Sequence, residues 1–254
     1  MSPAEVVDYV KQKNWGAVTK PGTVGPESGP ALLQLLNDKD SQVRQLAVVC
    51  LNAAGGPAAR EGLLKELRDP TETVRAAAAR FLRARYSAAD LPAITNVMNT
   101  SADEYVREQL GLLLGESGDA TKIPVLAARM RTEKDEHARH ADSLAMARLG
   151  DADSRSQLIQ RLTHEQPAER IAGLRDLPYV NDVGLLKQVV PLLDDTRPGL
   201  NVGPSHGPYF IRVCDVAVNI ANQMLGGRFS WAEPVKRYSP LELSEAKSVL
   251  SAIR

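Results

Sequence analysis

Two histidines on one helical face are the first residues whose type and spacing could support chemistry. His137 and His140 stand three residues apart, and Glu136 and Asp142 lie beside them. A zinc site needs three or four ligands in suitable geometry. The sequence has no third histidine nearby and no HExxH motif. We therefore expect no metal site.

Catalytic motifs are missing from the sequence as well. It contains no nucleophile elbow, no Walker A loop and no GxGxxG motif after a predicted strand. The paired glycines at 55–56 and 226–227 are expected to end helices. We accordingly expect no catalytic residue, no cofactor and no enzyme activity.

Five arginines recur at nearly constant spacing. They are Arg44, Arg75, Arg107, Arg139 and Arg170, separated by 31, 32, 32 and 31 residues. A row of guanidinium groups could bind phosphates or carboxylates, but so regular a period indicates an internal repeat. We interpret the column as a structural ladder that holds neighbouring repeats in register.

Each arginine stands at the start of the second helix of a two-helix unit. In residues 31–54 an apolar helix leads to a polar turn with Asp38, and a second helix begins at Val43-Arg44. Apolar residues follow three, four, seven and eight positions after the valine column, which predicts a buried stripe. They are Leu46, Ala47, Cys50 and Leu51 in the first unit and Ala77, Ala78, Phe81 and Leu82 in the second. The predicted helix ends are Gly55, Gly118 and Gly150.

This pattern, over residues 29–227, resembles the HEAT-like repeats of bacteria, the type of about 30 residues first recognised in phycobilisome bilin lyases. The resemblance implies an all-α fold, an α-α superhelix in which about six helical hairpins form a right-handed solenoid. It also implies that a turn aspartate pairs with the arginine six residues later, as at Asp38–Arg44 and Asp69–Arg75. The equivalent places in later units are Ser101, Glu133 and His164, where we expect a weaker or rerouted ladder.

We expect a single domain with a cap at each end. Two capping boxes, at residues 2–5 and 239–242, predict terminal helices that run to about Lys13 and Ile253. Trp15 is expected to seal the open end of the first repeat. The predicted parts are an N-terminal cap and connector (1–28), six repeats (29–227) and a C-terminal cap (228–254) within one domain, 1–254.

The inner, concave face of the second helices is the predicted partner-binding surface. The candidate residues on it are Arg80, Arg83, Glu108, Glu116, His140 and Arg148. The same face is expected to carry Gln45, Val48, Val49, Asn52, Leu112 and Leu144. Charges of both signs beside exposed aliphatic residues favour a protein or peptide partner. Arg75, Arg80, Arg83 and Arg85 are locally basic, but acidic residues lie near, and a solvated mixed-charge face is the alternative.

Two aspartates fall in otherwise apolar columns. Asp142 occupies the column of Ala47 and Ala78, so we expect it to pair with Arg107, unless the helix phase differs. Asp176 is a second carboxylate at an apolar position, in the next repeat, and it needs a partner for the same reason. An inter-repeat hydrogen bond is favoured over catalysis for both.

A long loop interrupts the sixth unit. Residues 194–210 contain three prolines and three glycines, which stiffen a connector. Loops of this length inside a compact repeat are uncommon. A partner-binding element and a structural lid are the two alternatives, with Arg197, His206 and Tyr209 as the candidate binding residues.

The composition limits the classes of partner. Lysine plus arginine and aspartate plus glutamate both total 31, and aromatic residues are 4%, which disfavours a nucleic-acid partner. The sequence shows no membrane-spanning run and no signal peptide, so by default we expect no membrane insertion and a soluble cytoplasmic protein, or an exported one if a leader was removed. Cys50 and Cys214 lie in repeats too far apart for a disulfide and are expected to be buried.

These observations predict a non-catalytic scaffold that binds another protein or a peptide through its concave face and the sixth-repeat loop. The resemblance leaves three alternatives open. HEAT-like repeats also occur in bilin lyases, in alkylpurine glycosylases that act on damaged DNA and in bacterial toxin-immunity proteins. The glycosylases use a basic, aromatic-lined groove, which fits this composition poorly.

Overall fold

Helices form nearly all of the regular structure. The structure, a computed structural model, describes residues 1–18, 20, 22–201 and 210–253. This part of the chain contains fourteen α-helices, four 3-10 helices and one two-stranded sheet. The fold is all-α, as the sequence predicted.

The chain divides into two compact units, Met1–Ala145 and Met146–Arg254, and the division falls inside helix α10. The helices up to that point are α1 (Pro3–Lys11), α2 (Trp15–Val18), α3 (Gly29–Leu35), α4 (Ser41–Ala54), α5 (Gly56–Glu66), α6 (Glu72–Leu82), α7 (Leu91–Thr100), α8 (Glu104–Glu116), α9 (Ile123–Met130) and α10 (Glu136–Leu149). The later elements are α11 (Ala152–Leu162), α12 (Pro167–Val180), a 3-10 helix (Val183–Asp194), β1 (Pro198–Asn201), β2 (Phe210–Arg212), α13 (Val213–Met224) and α14 (Pro240–Ser251). Short 3-10 turns, Pro26–Ser28, Ala88–Asp90 and Ala120–Lys122, precede α3, α7 and α9.

Helical hairpins are the building blocks of both units. In the first unit α3 packs on α4, α5 on α6 and α7 on α8, and the second helices α4, α6 and α8 pack on one another in order. In the second unit α11 packs on α12, and α12 packs on α13. This nearest-neighbour packing is the arrangement expected of a repeat protein.

Local sequence signals account for the helix boundaries. The side chain of Asp40 caps α4 by accepting a hydrogen bond from Gln42 N at 2.8 Å, and Asp103 caps α8 through Val106 N. The predicted stops at Gly55, Gly118 and Gly150 all have positive φ, at 70°, 70° and 100°. Glycine adopts that conformation without steric penalty, so the chain can reverse direction there.

Aliphatic side chains fill the core. The valine column is buried, with exposures of 4% for Val43 and 0% for Val74 and Val106. The predicted stripe of α4 is fully buried, at Leu46, Ala47, Cys50 and Leu51. Burial of this stripe is the main source of helix stability, because each helix alone is marginal in water.

The N-terminal cap differs from its prediction. Helix α1 ends at Lys11 rather than near Lys13, and Trp15 is 38% exposed instead of sealing the first repeat. Val6, Val10 and Val24 are the buried hydrophobic residues among the described positions of this segment. Small aliphatic side chains, rather than the tryptophan, therefore cover the end of the first hairpin.

The sixth repeat also departs from the expected pattern. Its first helix is a 3-10 helix of 12 residues with Pro191 inside, and its second begins at Val213, after residues that belong to β2. The start of the long loop forms β1, which pairs antiparallel with β2. Strands were not predicted here, because the alternating prolines and glycines suggested irregular backbone.

An aromatic cluster lies in the C-terminal cap. The rings of Phe229 and Trp231 stack at 5.1 Å, and Tyr238 meets Trp231 edge-on at 5.3 Å. Helix α14 begins with the predicted capping box at Ser239 and packs on the 3-10 helix of the sixth repeat. Three of the few aromatic residues in the chain thus contribute to this end.

Candidate interaction site

The arginine column connects consecutive repeats. Arg44 on α4 binds Asp69 in the next repeat, with Nε 2.6 Å from Oδ2 and Nη2 2.9 Å from Oδ1. Arg75 binds a single oxygen of Asp103, with Nε 2.9 Å from Oδ2, and Arg107 binds both oxygens of Glu133, at 2.7 and 2.8 Å. These bidentate or near-bidentate pairs suit the planar guanidinium group.

The pairing within a repeat, expected for Asp38 with Arg44 and for Asp69 with Arg75, is wrong. Each arginine instead donates to the backbone carbonyl six residues before it, at 2.9 Å for both pairs. The same contact recurs with the carbonyls of Ser101, Glu133 and His164, which accept from Arg107, Arg139 and Arg170. Every residue type supplies a carbonyl, so this contact does not depend on the side chain. The side chains of Asp69 and Glu133 at this place instead bind the arginine of the preceding repeat.

Glu133 is the junction of a buried charge cluster in the first unit. It accepts hydrogen bonds from Arg107 and from Arg129, and those bonds with Arg107 lower the pKa of Glu133 to about 2. Arg129 also binds Asp142, which is fully buried. The expected pairing of Asp142 with Arg107 is therefore wrong, and its partner is an arginine on α9 of the same repeat. Asp176, in the second unit, is paired with Arg161 at 2.7 Å.

Burial raises the pKa of two carboxyl groups in the first unit. The pKa of Asp142 rises to about 7 because the fully enclosed site penalises the charged form more than Arg129 favours it. The pKa of Glu66, beside Asp69, also rises to about 7, because of burial and of a shared hydrogen bond with Asp69. Perturbed carboxyl groups can mark catalysis, but both groups here lie at repeat junctions.

A groove opens between α4 and α6 on the face of the second helices. It encloses about 340 Å³ and extends to the start of α8. Its lining combines apolar and polar side chains: Gln45, Val49, Thr73, Ala76, Ala77, Arg80, Phe81 and Tyr105. Exposed apolar surface bordered by polar groups is typical of a site for another molecule.

Some groove residues were assigned to the core by the sequence pattern. Ala77 and Phe81 belong to the predicted buried stripe, yet both are only partly buried and line the groove. Tyr105, 37% exposed, stands one residue before the buried valine column and so points away from the core. Tyr105, a large aromatic residue outside the predicted buried stripe, was the sequence signal for this exposed groove, and the prediction from sequence missed it.

Arg80 is the one residue of the groove lining that carries a charge. It is exposed, and its guanidinium group lies over the ring of Phe81 at 5.7 Å. Arg85, just beyond the end of α6, donates to the side-chain and backbone oxygens of Asn52 on α4, at 3.2 and 2.8 Å. Neither guanidinium group has a carboxylate partner among the described residues.

Several other predicted binding residues are engaged within their own unit. Arg83 binds Glu116 and Gln109, so both Arg83 and Glu116 join the second and third repeats. Arg148 binds the carbonyl of Tyr179 and lies over its ring. Val48 is fully buried, contrary to its predicted place on the inner face. Glu108 accepts a hydrogen bond from Gln109.

The sixth-repeat loop is only partly described. Arg197 binds Asp195 through two nitrogens at 2.8 Å and donates to the carbonyl of Glu165. Asp195 also accepts from Arg170, so this end of the loop is held by the arginine ladder. His206 and Tyr209 lie outside the described residues.

No metal centre is present among the residues that the structure describes. No group of three or more potential ligands occurs there, and His137 and His140 are both exposed on α10. Within the same residues, no helix is long and apolar enough to cross a membrane.

Comparison with known proteins identifies the family. The model of HEAT repeats matches residues 29–114 and 91–177, which together make up more than half of the chain. The chain therefore belongs to the HEAT-repeat family. Comparison with curated proteins finds no significant match.

Solved structures support the fold. The complex of CpcE and CpcF of phycocyanin lyase from Nostoc sp. PCC7120 aligns with a TM-score of 0.59 and 15% identity, over 98% of this chain and 95% of that chain. YibA of E. coli aligns with a TM-score of 0.54 and 16% identity, over 100% and 93%. At this identity the likeness establishes the fold and leaves the function to the site itself.

Proposed function

We propose that this HEAT-repeat chain is a non-catalytic scaffold that binds another protein or a peptide through the groove between α4 and α6. The observation that carries the proposal is an open groove of about 340 Å³ whose apolar floor stays accessible although the surrounding helices are well packed. An aromatic ring with an arginine above it is a frequent combination at protein interfaces.

The described start of the sixth-repeat hairpin supplies a second contact area in this proposal. Arg197 is 45% exposed at its side chain although Asp195 holds it in place. An exposed arginine that is already held by an ion pair loses little conformational freedom on binding, which favours affinity.

The thiol groups weigh against covalent chemistry. Cys50 and Cys214 are fully buried, and burial raises their thiol pKa to about 12 and about 11. A thiolate is the reactive form of cysteine, so neither residue is equipped as a nucleophile.

Blocking the groove tests the proposal. Ala77→Trp places an indole in the groove, whereas Ala93→Trp places one on an exposed position of α7 outside it. We expect the first variant to lose partners that cross-link to the wild-type protein in extracts of the source organism, and the second to retain them. Equal partner profiles for wild type and Ala77→Trp, with unchanged thermal unfolding, would refute the groove as the binding site.

A further inference from the structure

We infer that the groove between α4 and α6 accepts an acidic amphipathic segment of a partner protein. In this arrangement an apolar side chain of the segment enters the cavity, and its carboxylates bind Arg80 and Arg85. The inference rests on the proposed function and specifies the chemistry of the partner.

The apolar part of the inference follows from the floor of the groove. Val49 on α4 and Ala76, Ala77 and Phe81 on α6 leave partly exposed carbon surface, and Tyr105 on α8 closes one side. Small residues on α6 allow close approach of a partner backbone, while the aromatic rings provide contact area. Burying an aliphatic or aromatic side chain there removes apolar surface from water on both molecules.

The acidic part follows from how charge is matched on α6. Arg75 is matched by Asp103, and Arg83 is matched by Glu116. Arg80 and Arg85 have only neutral contacts, the ring of Phe81 and the oxygens of Asn52. No carboxylate among the described residues therefore neutralises their positive charge. A carboxylate of a partner protein would do so.

The position of the two arginines suits a peptide segment. Arg80 lines the cavity and Arg85 contacts Asn52 at the C-terminal end of α4, so both lie along the same pair of helices. Asn52 fixes the orientation of Arg85, and the ring of Phe81 supports that of Arg80. Both guanidinium groups are therefore preorganised, which reduces the entropy lost when a carboxylate binds.

A protein segment fits the surrounding charge better than a nucleic acid. Glu72, next to Thr73, and Glu104, next to Tyr105, are exposed at the N-terminal ends of α6 and α8. Acidic side chains at one end repel a continuous phosphate backbone, whereas a peptide can place its carboxylates at the arginine end alone. The net charge of the chain is also zero.

Selection from a random peptide library displayed on phage tests the inference. Peptides enriched on the wild-type protein are synthesised, and their affinity is measured by fluorescence anisotropy. We expect aspartate or glutamate close to leucine, isoleucine or phenylalanine in the enriched sequences. Loss of one charge-assisted pair at a partly solvated site should weaken binding about ten-fold, which equals about 1.4 kcal/mol.

The variants assign this loss to the two arginines. Arg80→Gln and Arg85→Gln should each weaken binding and reduce its salt dependence, and the double variant should do so further. Arg68→Gln, which removes an exposed arginine outside the groove, serves as the matched control. Arg80 is exposed, so its variant should unfold at the wild-type temperature, which separates lost binding from lost folding.

The remaining outcomes distinguish the inference from the proposed function. Peptides that are blocked by Ala77→Trp but lack acidic residues, or are insensitive to both arginine variants, would overturn the inference and leave the groove as a binding site. The absence of any peptide sensitive to Ala77→Trp would overturn both. A single-stranded oligonucleotide that binds more tightly than the peptides and depends on Arg80 would replace the inferred partner class.

Discussion

Gly111 on α8 lies against the ion pair formed by Arg129 and Asp142. A Cβ atom at this position would stand 2.6 Å from Asp142 Oδ1 and 3.1 Å from Arg129 Nη2. The glycine therefore makes room for two buried charged side chains, Asp142 at 0% and Arg129 at 8% exposure. A buried pair of this kind is costly to disturb, because either charge left without its partner is poorly solvated.

We predict that Gly111→Ala destabilises the protein by about 1–3 kcal/mol, the usual range for overpacking a core. The direction of the change in stability is informative, because in the absence of a clash alanine is favoured over glycine inside a helix by roughly 1 kcal/mol. Gly16→Ala is the matched control, since its Cβ would meet nothing closer than Asn14 Oδ1 at 3.9 Å. Urea unfolding monitored by circular dichroism measures both changes, and a stabilising Gly111→Ala would contradict the tight fit.

Asp142 also predicts a pH dependence. A carboxyl group whose pKa is higher in the folded chain binds more protons there, so the free energy of unfolding falls as the pH rises from about 4 to about 7. Asp142→Asn should flatten this decline in unfolding experiments between pH 5 and pH 8. Glu66 has a similarly raised pKa. Adding Glu66→Gln should therefore make the free energy of unfolding depend still less on pH. An unchanged slope in the double variant would exclude these two groups as its source.

Paired helices are the elements on which the arginine ladder acts. At Arg44, Arg75, Arg107 and Arg170, each rung combines a carboxylate from the following repeat with a backbone carbonyl of the arginine's own turn. The arginine thus holds its own turn closed and joins it to the next hairpin. This dual contact explains why the arginine column recurs more regularly than the acidic column.

Asp38 and Asp69 provide a direct test of that arrangement, since each stands six residues before an arginine. Asp69→Ala should cost about 3 kcal/mol, because Arg44, 8% exposed, would lose its charged partner. Asp38→Ala should cost at most about 1 kcal/mol, because among the described residues the side chain of Asp38 accepts one hydrogen bond, from Asp40 N at 2.9 Å. Chemical denaturation compares them, and equal losses would instead favour pairing within each repeat.

At the scale of the whole molecule, the two compact units raise the question of whether they unfold together. Cys50 lies in the first unit and Cys214 in the second, and both are free and buried. Repeats interact mainly with their neighbours, so a local loss of stability need not spread evenly along the chain. The two thiols can therefore report on each unit separately.

We predict that Asp69→Ala increases the labelling rate of Cys50 by iodoacetamide more than that of Cys214. The native wild-type protein should label slowly at both positions, because both thiols are buried and their pKa values are raised. Mass spectrometry of the labelled peptides measures each rate, and full labelling in denaturant is the control. An equal increase at both cysteines would indicate a single cooperative domain.

The sequence alone determined the repeat, several of the helix ends and the position of the arginines. These features depend on interactions within a few residues: apolar spacing on one helical face, side-chain caps and glycines at helix ends. The sixth repeat departs from this agreement, because its first helix is a 3-10 helix with Pro191 inside rather than the expected α-helix.

Only the tertiary structure decided which carboxylate each arginine binds and where the groove lies. The partner of Arg44 is 25 residues away, and its distance depends on how two hairpins pack. Phe81 follows the spacing of a core residue, yet the packing of α4, α6 and α8 leaves it in an open groove beside Arg80. Helical periodicity places a side chain on a face, but the neighbouring helices determine whether that face is covered.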